Sequence, residues 1–170
     1  MRAELEREYV EYVKARVVPL HRLAYHLCGD GHHADDLVQA TLIKLYSRWR
    51  QVRDVEHPDA YVRSMLVRQF LQEKRRPWSR VTLSAALPDR PASGSDSVED
   101  REVVAAALRQ VPPRQRAVLA LRFLCDMSVE DVATTLRCSP GTVKSQTSHG
   151  LATLRRLLGD PAFVVTGQGN

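Results

Sequence analysis

The sequence has few of the features that mark secreted or membrane proteins. Its three cysteines, Cys28, Cys125 and Cys138, are an odd number without paired spacing, which argues against a disulfide framework and suits a reducing compartment. No stretch approaches the roughly 20 apolar residues that a bilayer-spanning helix needs, and the first residues are charged instead of forming an apolar signal segment. We therefore expect a cytoplasmic protein with no membrane insertion.

Motifs of enzyme active sites are also missing. The chain has no glycine-rich phosphate loop, no nucleophile elbow and no zinc-hydrolase motif. A group of possible metal ligands, His26, Cys28, His32 and His33, straddles a glycine turn, but its spacing fits no standard zinc pattern. We expect no enzymatic activity, no cofactor and no metal, and an enzyme built on a helical bundle is the most distant function considered.

Period-two runs of branched residues are absent, so the chain reads as all-α. Apolar residues at three-and-four spacing predict a first helix up to Cys28, kinked or divided at Pro19, a second over 34–49 and a third over 58–76. The second helix should turn these residues inward: Leu37, Val38, Thr41, Leu45 and Trp49.

Residues 77–100 are rich in proline, glycine and serine and show no periodicity, which predicts a flexible linker. The expected organisation is therefore two small helical domains, 1–76 and 101–158, joined by this linker and followed by a tail, 159–170. A helix around Val98 to Gln110 should lead into the C-terminal domain.

The C-terminal domain carries the pattern of a helix-turn-helix. Pro113 suits the first turn of a helix whose apolar face would be Ala117, Val118, Leu121 and Leu124. Ser128 and Ser139 then have the positions of N-caps of two further helices, separated by a turn of about three residues. In a DNA-binding helix-turn-helix the second of these helices enters the major groove.

The second helix of this motif has a polar, cation-bearing face. Gln146 can read adenine bidentately, and Lys144 with the helix N-terminus suits phosphate. The alternative is a generic two-helix corner that packs against another protein. The residues predicted to contact duplex DNA are Thr142, Lys144, Ser145, Gln146, His149 and Arg155, and Arg156 extends the basic surface.

Cations and aromatic residues are mixed between Tyr61 and Arg80, with Glu73 as the one acidic residue in the stretch. This mixture suits melted nucleic acid, because cations track phosphates while rings stack on unpaired bases. The alternative is an ordinary solvated helix face, with Phe70 in the core. The candidate residues for contact with an unpaired strand are Tyr61, Arg63, Arg68, Lys74, Arg75 and Arg76, near Trp78 and Arg80.

Asp35 and Asp36 lie near the predicted start of the second helix, where acidic residues complement the helix dipole. Their combination with Gln39, Leu42 and Ile43, on a helix that already buries another face, instead suggests a surface that docks a protein.

The two halves together resemble the extracytoplasmic-function class of bacterial RNA polymerase sigma factors. Residues 33–49, HADDLVQATLIKLYSRW, are similar to the polymerase-binding helix of that class, and residues 58–76, PDAYVRSMLVRQFLQEKRR, to its promoter-melting helix. Residues 111–158 look like its second domain. The segment GTVKSQTSHGLATLRRLL is the most specific part and points to an actinobacterial subgroup.

The resemblance implies partners and a division of labour. The first domain would bind the clamp helices of the polymerase core and open the minus-ten element, with the loop Gln51 to His57 beside Tyr61, Arg63 and Arg68 at that strand. The second domain would read the minus-thirty-five element. The protein would also bind the polymerase core at its flap region, and an anti-sigma factor would hold the protein inactive. The residues implied at the polymerase contact are Asp35, Asp36, Leu37, Gln39 and Leu42.

The predicted function is thus a sigma factor that directs the core enzyme to promoters and helps open them for transcription initiation. The nearest rival is a stand-alone helix-turn-helix regulator, which would normally need a dimer interface to gain affinity from two half-sites.

Overall fold

The computed structural model describes residues 1–75 and 98–159, and within those ranges the chain is helical and contains no β-strand. The all-α prediction is confirmed. The chain divides into two compact units, residues 1–89 and 90–170, and the boundary falls inside the predicted linker. Arg76, Trp78, Arg80, residues 77–97 of the linker and residues 160–170 of the tail lie outside the described residues.

The first unit contains three helices, α1 (Arg2–Cys28), α2 (Gly31–Val52) and α3 (Pro58–Arg75). All three contribute to one apolar core, in which the five residues predicted to face inward from α2 are all buried, as expected. The largest fully buried side chains of this unit are Leu27, Leu37, Leu45, Val52, Val62, Leu66, Val67 and Phe70.

The prediction that Pro19 divides the first helix is wrong, because α1 runs unbroken through it. A proline inside a helix removes one backbone hydrogen bond and costs about 3 kcal/mol. The turns that follow Pro19 bury Leu20, Leu23 and Leu27, and this packing offsets the loss. The helix ends at Gly29, whose φ of 70° lies in the left-handed region and lets its N–H bond to the Tyr25 carbonyl.

Helix α2 begins at Gly31, earlier than the sequence pattern predicted, because the Asp30 carboxylate caps it by accepting a hydrogen bond from the His32 amide (3.0 Å). Asp35 and Asp36 therefore lie beyond the first turn, and their interpretation as partners of the helix dipole is wrong. The dipole effect falls off within one turn.

The second unit contains α4 (Val98–Gln110), α5 (Pro113–Leu119), α6 (Val129–Leu136) and α7 (Pro140–Leu158). The guanidinium of Arg116, itself buried, donates hydrogen bonds to the carbonyls of Arg109 and Val111, both at 2.9 Å, and so ties α5 to the end of α4. The core cluster between α4, α5 and α7 consists of Ala107, Leu108, Val111, Leu119 and Leu154.

Helix α5 continues into one wide π-helical turn, Ala120–Leu124, closed by the bond from the Cys125 amide to the Ala120 carbonyl (3.1 Å). Ala117, Val118 and Leu121 are buried as predicted, but Leu124 is 51% exposed. The wide turn places more residues in each rotation than an α-helix does, so the apolar spacing of 3.6 no longer applies after Leu121. The prediction that Leu124 lies on the buried face is wrong for this reason.

Candidate nucleic-acid interface

Helices α6 and α7 meet through three residues, as the sequence predicted. The Ser128 hydroxyl accepts a hydrogen bond from the Asp131 amide (3.0 Å), and the Ser139 hydroxyl accepts one from the Thr142 amide (3.1 Å). Both helices therefore begin at the predicted serine caps. Between them, Arg137 adopts the left-handed conformation (φ 54°) and ends α6.

The apolar sides of the two helices are buried through Val132, Ala133 and Leu136 of α6 and Val143 of α7. The opposite side of α7 remains accessible: Lys144, Ser145, His149 and Arg155 are exposed, while Thr142 and Gln146 are half-buried. The six residues predicted to contact duplex DNA are thus all accessible from one helix. Their polar groups and two cations are suited to base edges and phosphates.

Gly150 fixes how closely α7 approaches α5. A Cβ atom at this position would lie 2.8 Å from Cδ1 and 3.1 Å from Cγ of the buried Leu119. The glycine is thus needed for space and not for a special backbone angle, because it lets α7 pack directly against Leu119 of α5.

The candidate strand-binding residues of α3 are less exposed than those of α7. Tyr61, Arg63 and Arg68 are half-buried, and the Arg68 guanidinium donates to the Ser64 carbonyl (3.2 Å). Phe70 is buried in the core, as the alternative had it for this residue, so this ring is not available for stacking on bases.

The last turn of α3 carries the remaining cations. The Lys74 ammonium lies 5.9 Å from the centre of the Phe70 ring, and Arg75 is exposed. Arg76 lies outside the described residues.

The loop before α3 is shorter than predicted. Gln51 and Val52 belong to α2, and Val52 is buried, so the loop comprises residues 53–57. The amide of Val55 donates to the Val52 carbonyl (3.2 Å), and most side chains of the loop are exposed.

Both ends of this loop are held by α1. At the first end, Arg53 Nη1 lies 2.5 Å from Glu8 Oε2. At the second end, Asp59 accepts a hydrogen bond from the Tyr12 hydroxyl (2.8 Å), and its two carboxylate oxygens share the N–H of Arg16 Nε (both 3.0 Å). The sequence interpretation did not predict these contacts. The one pattern in the sequence that could have indicated them is the four-residue spacing of Glu8, Tyr12 and Arg16 on α1.

The Asp59 network also shifts two pKa values. Burial pushes the pKa of Asp59 upward, but hydrogen bonds from Tyr12 and Arg16 and the charges of Arg16 and Arg63 outweigh it, so this pKa lies below its ordinary value. Burial, followed by the hydrogen bond and charge of Asp59, raises the pKa of Tyr12 well above its ordinary value. At neutral pH the carboxylate is therefore an acceptor and the phenol a donor.

Helix α2 presents the residues predicted at a protein contact. Asp35, Asp36 and Gln39 are exposed and Leu42 is half-buried. Leu37 is 0% exposed and belongs to the core, so its assignment to the contact is wrong. It points inward, about 100° around the helix from the exposed Asp36.

An exposed apolar surface continues this face toward the end of α2. Ile43 is 72% exposed and Tyr46 51% exposed, and Val10 of α1 is also exposed. At the other end, Asp35 pairs with His21 of α1, at 2.7 Å between Oδ1 and Nε2. Of the exposed apolar side chains, the sequence interpretation had included Ile43 alone.

Two of the four possible metal ligands, His26 and His33, have other side-chain contacts. His33 pairs with the Asp30 carboxylate, and His26 Nδ1 lies 2.7 Å from the Arg22 carbonyl. Across residues 1–75 and 98–159, no three His, Cys, Asp or Glu side chains are grouped so that they could hold a metal ion. In the same ranges, no helix is both long enough and apolar enough to cross a bilayer.

Two family descriptions match the chain. Residues 13–80 match Sigma-70 region 2, and residues 101–154 match region 4 of Sigma-70. The first match spans α2, the loop and α3, and the second spans the helix-turn-helix.

Several known proteins are similar over most of the chain. An RNA polymerase sigma-E factor of Streptomyces avermitilis is 37% identical over 154 residues, which cover 89% of this chain and 85% of the relative. The ECF RNA polymerase sigma factor SigL of Mycobacterium tuberculosis is 30% identical over 145 residues, 82% of each chain.

A solved structure is also similar. The sigma factor RpoE of Bartonella quintana, determined in complex with the anti-sigma factor NepR, matches with a TM-score of 0.73 and 25% identity, covering 91% of this chain and 99% of that one.

Proposed function

Because the chain belongs to the extracytoplasmic-function group of the sigma-70 family of RNA polymerase sigma factors, we propose that its two helical units hold a promoter at two separate elements. A sigma factor directs the polymerase core enzyme to promoters and takes part in transcription initiation. The proposal concerns which residues of this chain perform each step.

In this proposal α7 reads the minus-thirty-five element as duplex DNA. Lys144 and Gln146 extend from the first two turns of a helix whose N-terminus is capped by Ser139, and the buried Val143 holds these turns against α6. Gln146 would pair with a base edge while Lys144 and the helix N-terminus contact phosphates. Thr142, Ser145, His149 and Arg155 complete the contact.

In the same proposal the first unit binds the minus-ten element as an unpaired strand. The loop 53–57 and Tyr61 would receive bases, and the cations of α3, Arg63, Arg68, Lys74 and Arg75, would follow the backbone. Arg76 would continue this basic surface. The domain limits that go with this division are 1–76 and 101–158, joined by the linker.

The exposed side of α2 would bind the polymerase core. Asp35, Asp36 and Gln39 supply polar contacts, and Ile43 and Leu42 supply apolar surface beside them. An acidic surface with an exposed isoleucine is suited to a basic and apolar protein partner and poorly suited to DNA. This side of α2 supports the sigma factor over the stand-alone regulator, which has no need of it.

Four further properties follow from the family. The protein would act in the cytoplasm, where the polymerase is, and would catalyse no reaction itself, since nucleotidyl transfer belongs to the polymerase. An anti-sigma factor would control it, as the Bartonella relative is bound to one. The protein would bind the core enzyme at its clamp helices and at its flap region.

A transcription assay with purified components tests the proposal. Full-length protein and core polymerase from a Streptomyces species would transcribe fragmented genomic DNA, and the 5′ ends of the transcripts would be sequenced. We expect start sites that depend on the protein and share two upstream elements. Failure to find any such start site, together with no core binding in native mass spectrometry, would refute the proposal.

A further inference from the structure

One side of α1 faces the loop 53–57 with three residues spaced four apart, Glu8, Tyr12 and Arg16. Residues at this spacing lie above one another on a helix. We call these three residues the brace. Glu8 contacts the first residue of the loop, whereas Tyr12 and Arg16 contact Asp59, the second residue of the helix that follows the loop.

The first contact fixes the point where α2 ends. The Arg53 amide donates to the Trp49 carbonyl (2.9 Å), so Arg53 is the C-cap of α2, and its guanidinium is held by Glu8 at 2.5 Å. The same guanidinium lies 3.4 Å from the Asp54 carboxylate. The direction in which the chain leaves α2 is thus set by a residue of α1.

The second contact fixes the point where α3 begins. Asp59 accepts hydrogen bonds from the Tyr12 hydroxyl and from the Arg16 Nε–H, which is shared between both carboxylate oxygens, and the Arg16 guanidinium also lies 5.6 Å from the centre of the Tyr12 ring. The Tyr12 ring packs on Trp49 of the core, with the ring centres 5.0 Å apart. The Asp59 carboxylate is therefore bound by α1, and its charge is neutralised by Arg16.

Between these two points the loop has little of its own to hold it. Most of its side chains are exposed, and the bond from the Val55 amide to the Val52 carbonyl fixes its first turn. Ordering one residue of a free chain costs roughly 1–2 kcal/mol, and a loop that is already ordered avoids that cost when it binds. The brace sets the shape of the loop before any ligand arrives.

We propose that Glu8, Tyr12 and Arg16 are positioning residues that hold the loop 53–57 in the conformation that accepts an unpaired promoter base. This inference rests on the proposed role of the loop at the minus-ten strand. The brace touches no DNA in this scheme and acts only through Arg53 and Asp59. Its loss should impair discrimination among unpaired bases more than it impairs binding to polymerase.

The test compares Glu8→Ala combined with Tyr12→Phe against Glu11→Gln combined with Lys14→Gln. The control pair removes an exposed ion pair (3.3 Å) from the same helix, away from the loop. Tyr12→Phe alone removes one hydroxyl and keeps the ring against Trp49, so this single variant replaces the double variant in the test if the double variant folds poorly. Hydrogen exchange of the loop amides is measured in the free full-length chain.

In the holoenzyme, the second measurement is affinity for a promoter fork whose minus-ten strand is unpaired. The fork carries either the sequence found by start-site mapping or a single altered base. We expect the brace variants to exchange their loop amides about tenfold faster and to bind the matched fork about tenfold more weakly, which corresponds to ordering about one residue. The altered fork, whose base the loop does not hold, should lose less affinity, so the ratio of the two affinities falls. The control pair should match wild type, as should core affinity in all variants.

Restoring the first contact with opposite charges, Glu8→Arg with Arg53→Glu, should return the exchange of the loop amides to the slow rate of wild type. Brace variants that keep slow exchange and full discrimination would overturn the inference. A wild-type holoenzyme that opened no promoter would instead refute the proposed function, and the exchange of the free chain would still report on the brace.

Discussion

Asp59 is the residue at which the charge state and the geometry of the first unit are most directly connected. Its carboxylate receives hydrogen bonds from Tyr12 and Arg16, and these bonds need the ionised form. The net effect is a pKa below the ordinary 3.8, even though burial acts in the opposite direction. The unfolded chain therefore binds a proton at Asp59 at a pH where the folded chain does not.

The sign of the resulting pH dependence follows from this difference. The contribution of Asp59 to the free energy of unfolding should be fully present above the ordinary pKa of 3.8 and lost as the pH falls through the lower, folded-state pKa. We expect Asp59→Asn to have a lower free energy of unfolding than wild type at pH 7. The difference between the two proteins should become smaller in strongly acidic solution.

Urea unfolding followed by the fluorescence of Trp49, which is buried in the core of the first unit, measures this difference. Glu11→Gln, which removes a carboxylate from an exposed ion pair on α1, is the control and should show no such narrowing. A difference that widened on acidification would contradict the assignment.

At the scale of elements, the contact between α5 and α7 depends on a missing side chain. Gly150→Ala should destabilise the second unit by about 1 kcal/mol. Overpacking against Leu119 costs about 1–3 kcal/mol, and the higher helix propensity of alanine offsets about 1 kcal/mol of that cost. Gly141→Ala in the same helix is the matched control, since its Cβ would meet only the Ser139 hydroxyl oxygen, at an ordinary 3.8 Å.

Gly141→Ala should therefore have the opposite sign and stabilise the unit by up to about 1 kcal/mol. Hydrogen exchange of the buried amides of α7 gives the free energy of opening for both variants. Equal stabilisation by the two substitutions would mean that Leu119 moves aside freely and that Gly150 does not set the helix spacing.

The elements that the sequence predicted well are those whose signals are local. Ser128 and Ser139 bond to amides three residues away, so their caps can be recognised from spacing alone. The buried side of α2 follows from the 3.6-residue period, which also should have kept Leu37 out of the contact surface.

The features that the sequence did not predict depend on contacts between distant residues. The π-turn after α5 exposes Leu124 against its apolar spacing, and α1 continues through Pro19 because later packing compensates for the lost bond. The brace joins residues about 43 to 47 positions apart, a separation at which no local pattern operates. Tertiary packing overrides local preference at each of these places.

At the scale of the whole molecule, the net charge of +5 conceals an uneven distribution. Exposed cations lie on α3, on α7 and on the second half of α2, where they are Lys44, Arg48 and Arg50, whereas the first half of α2 exposes Asp35 and Asp36. In the proposed function this separation assigns nucleic acid and protein partners to different surfaces. Neither DNA surface needs to bind tightly alone, because simultaneous binding through one chain and one polymerase raises the effective concentration of each.

Two variants should separate these surfaces. Lys144→Ala with Gln146→Ala should weaken binding to duplex promoter by about 1–3 kcal/mol, the range for a bidentate base contact, and leave core affinity unchanged. Asp36→Arg should do the reverse, because it places a cation on an exposed acidic surface far along the chain from α7. Core affinity is measured by native mass spectrometry, and promoter affinity by footprinting of the holoenzyme at core concentrations that saturate each variant. If circular dichroism showed that both variants had only lost helix content, the assignment of both surfaces would be wrong. If Asp36→Arg bound core as tightly as wild type does, α2 would not be the docking surface.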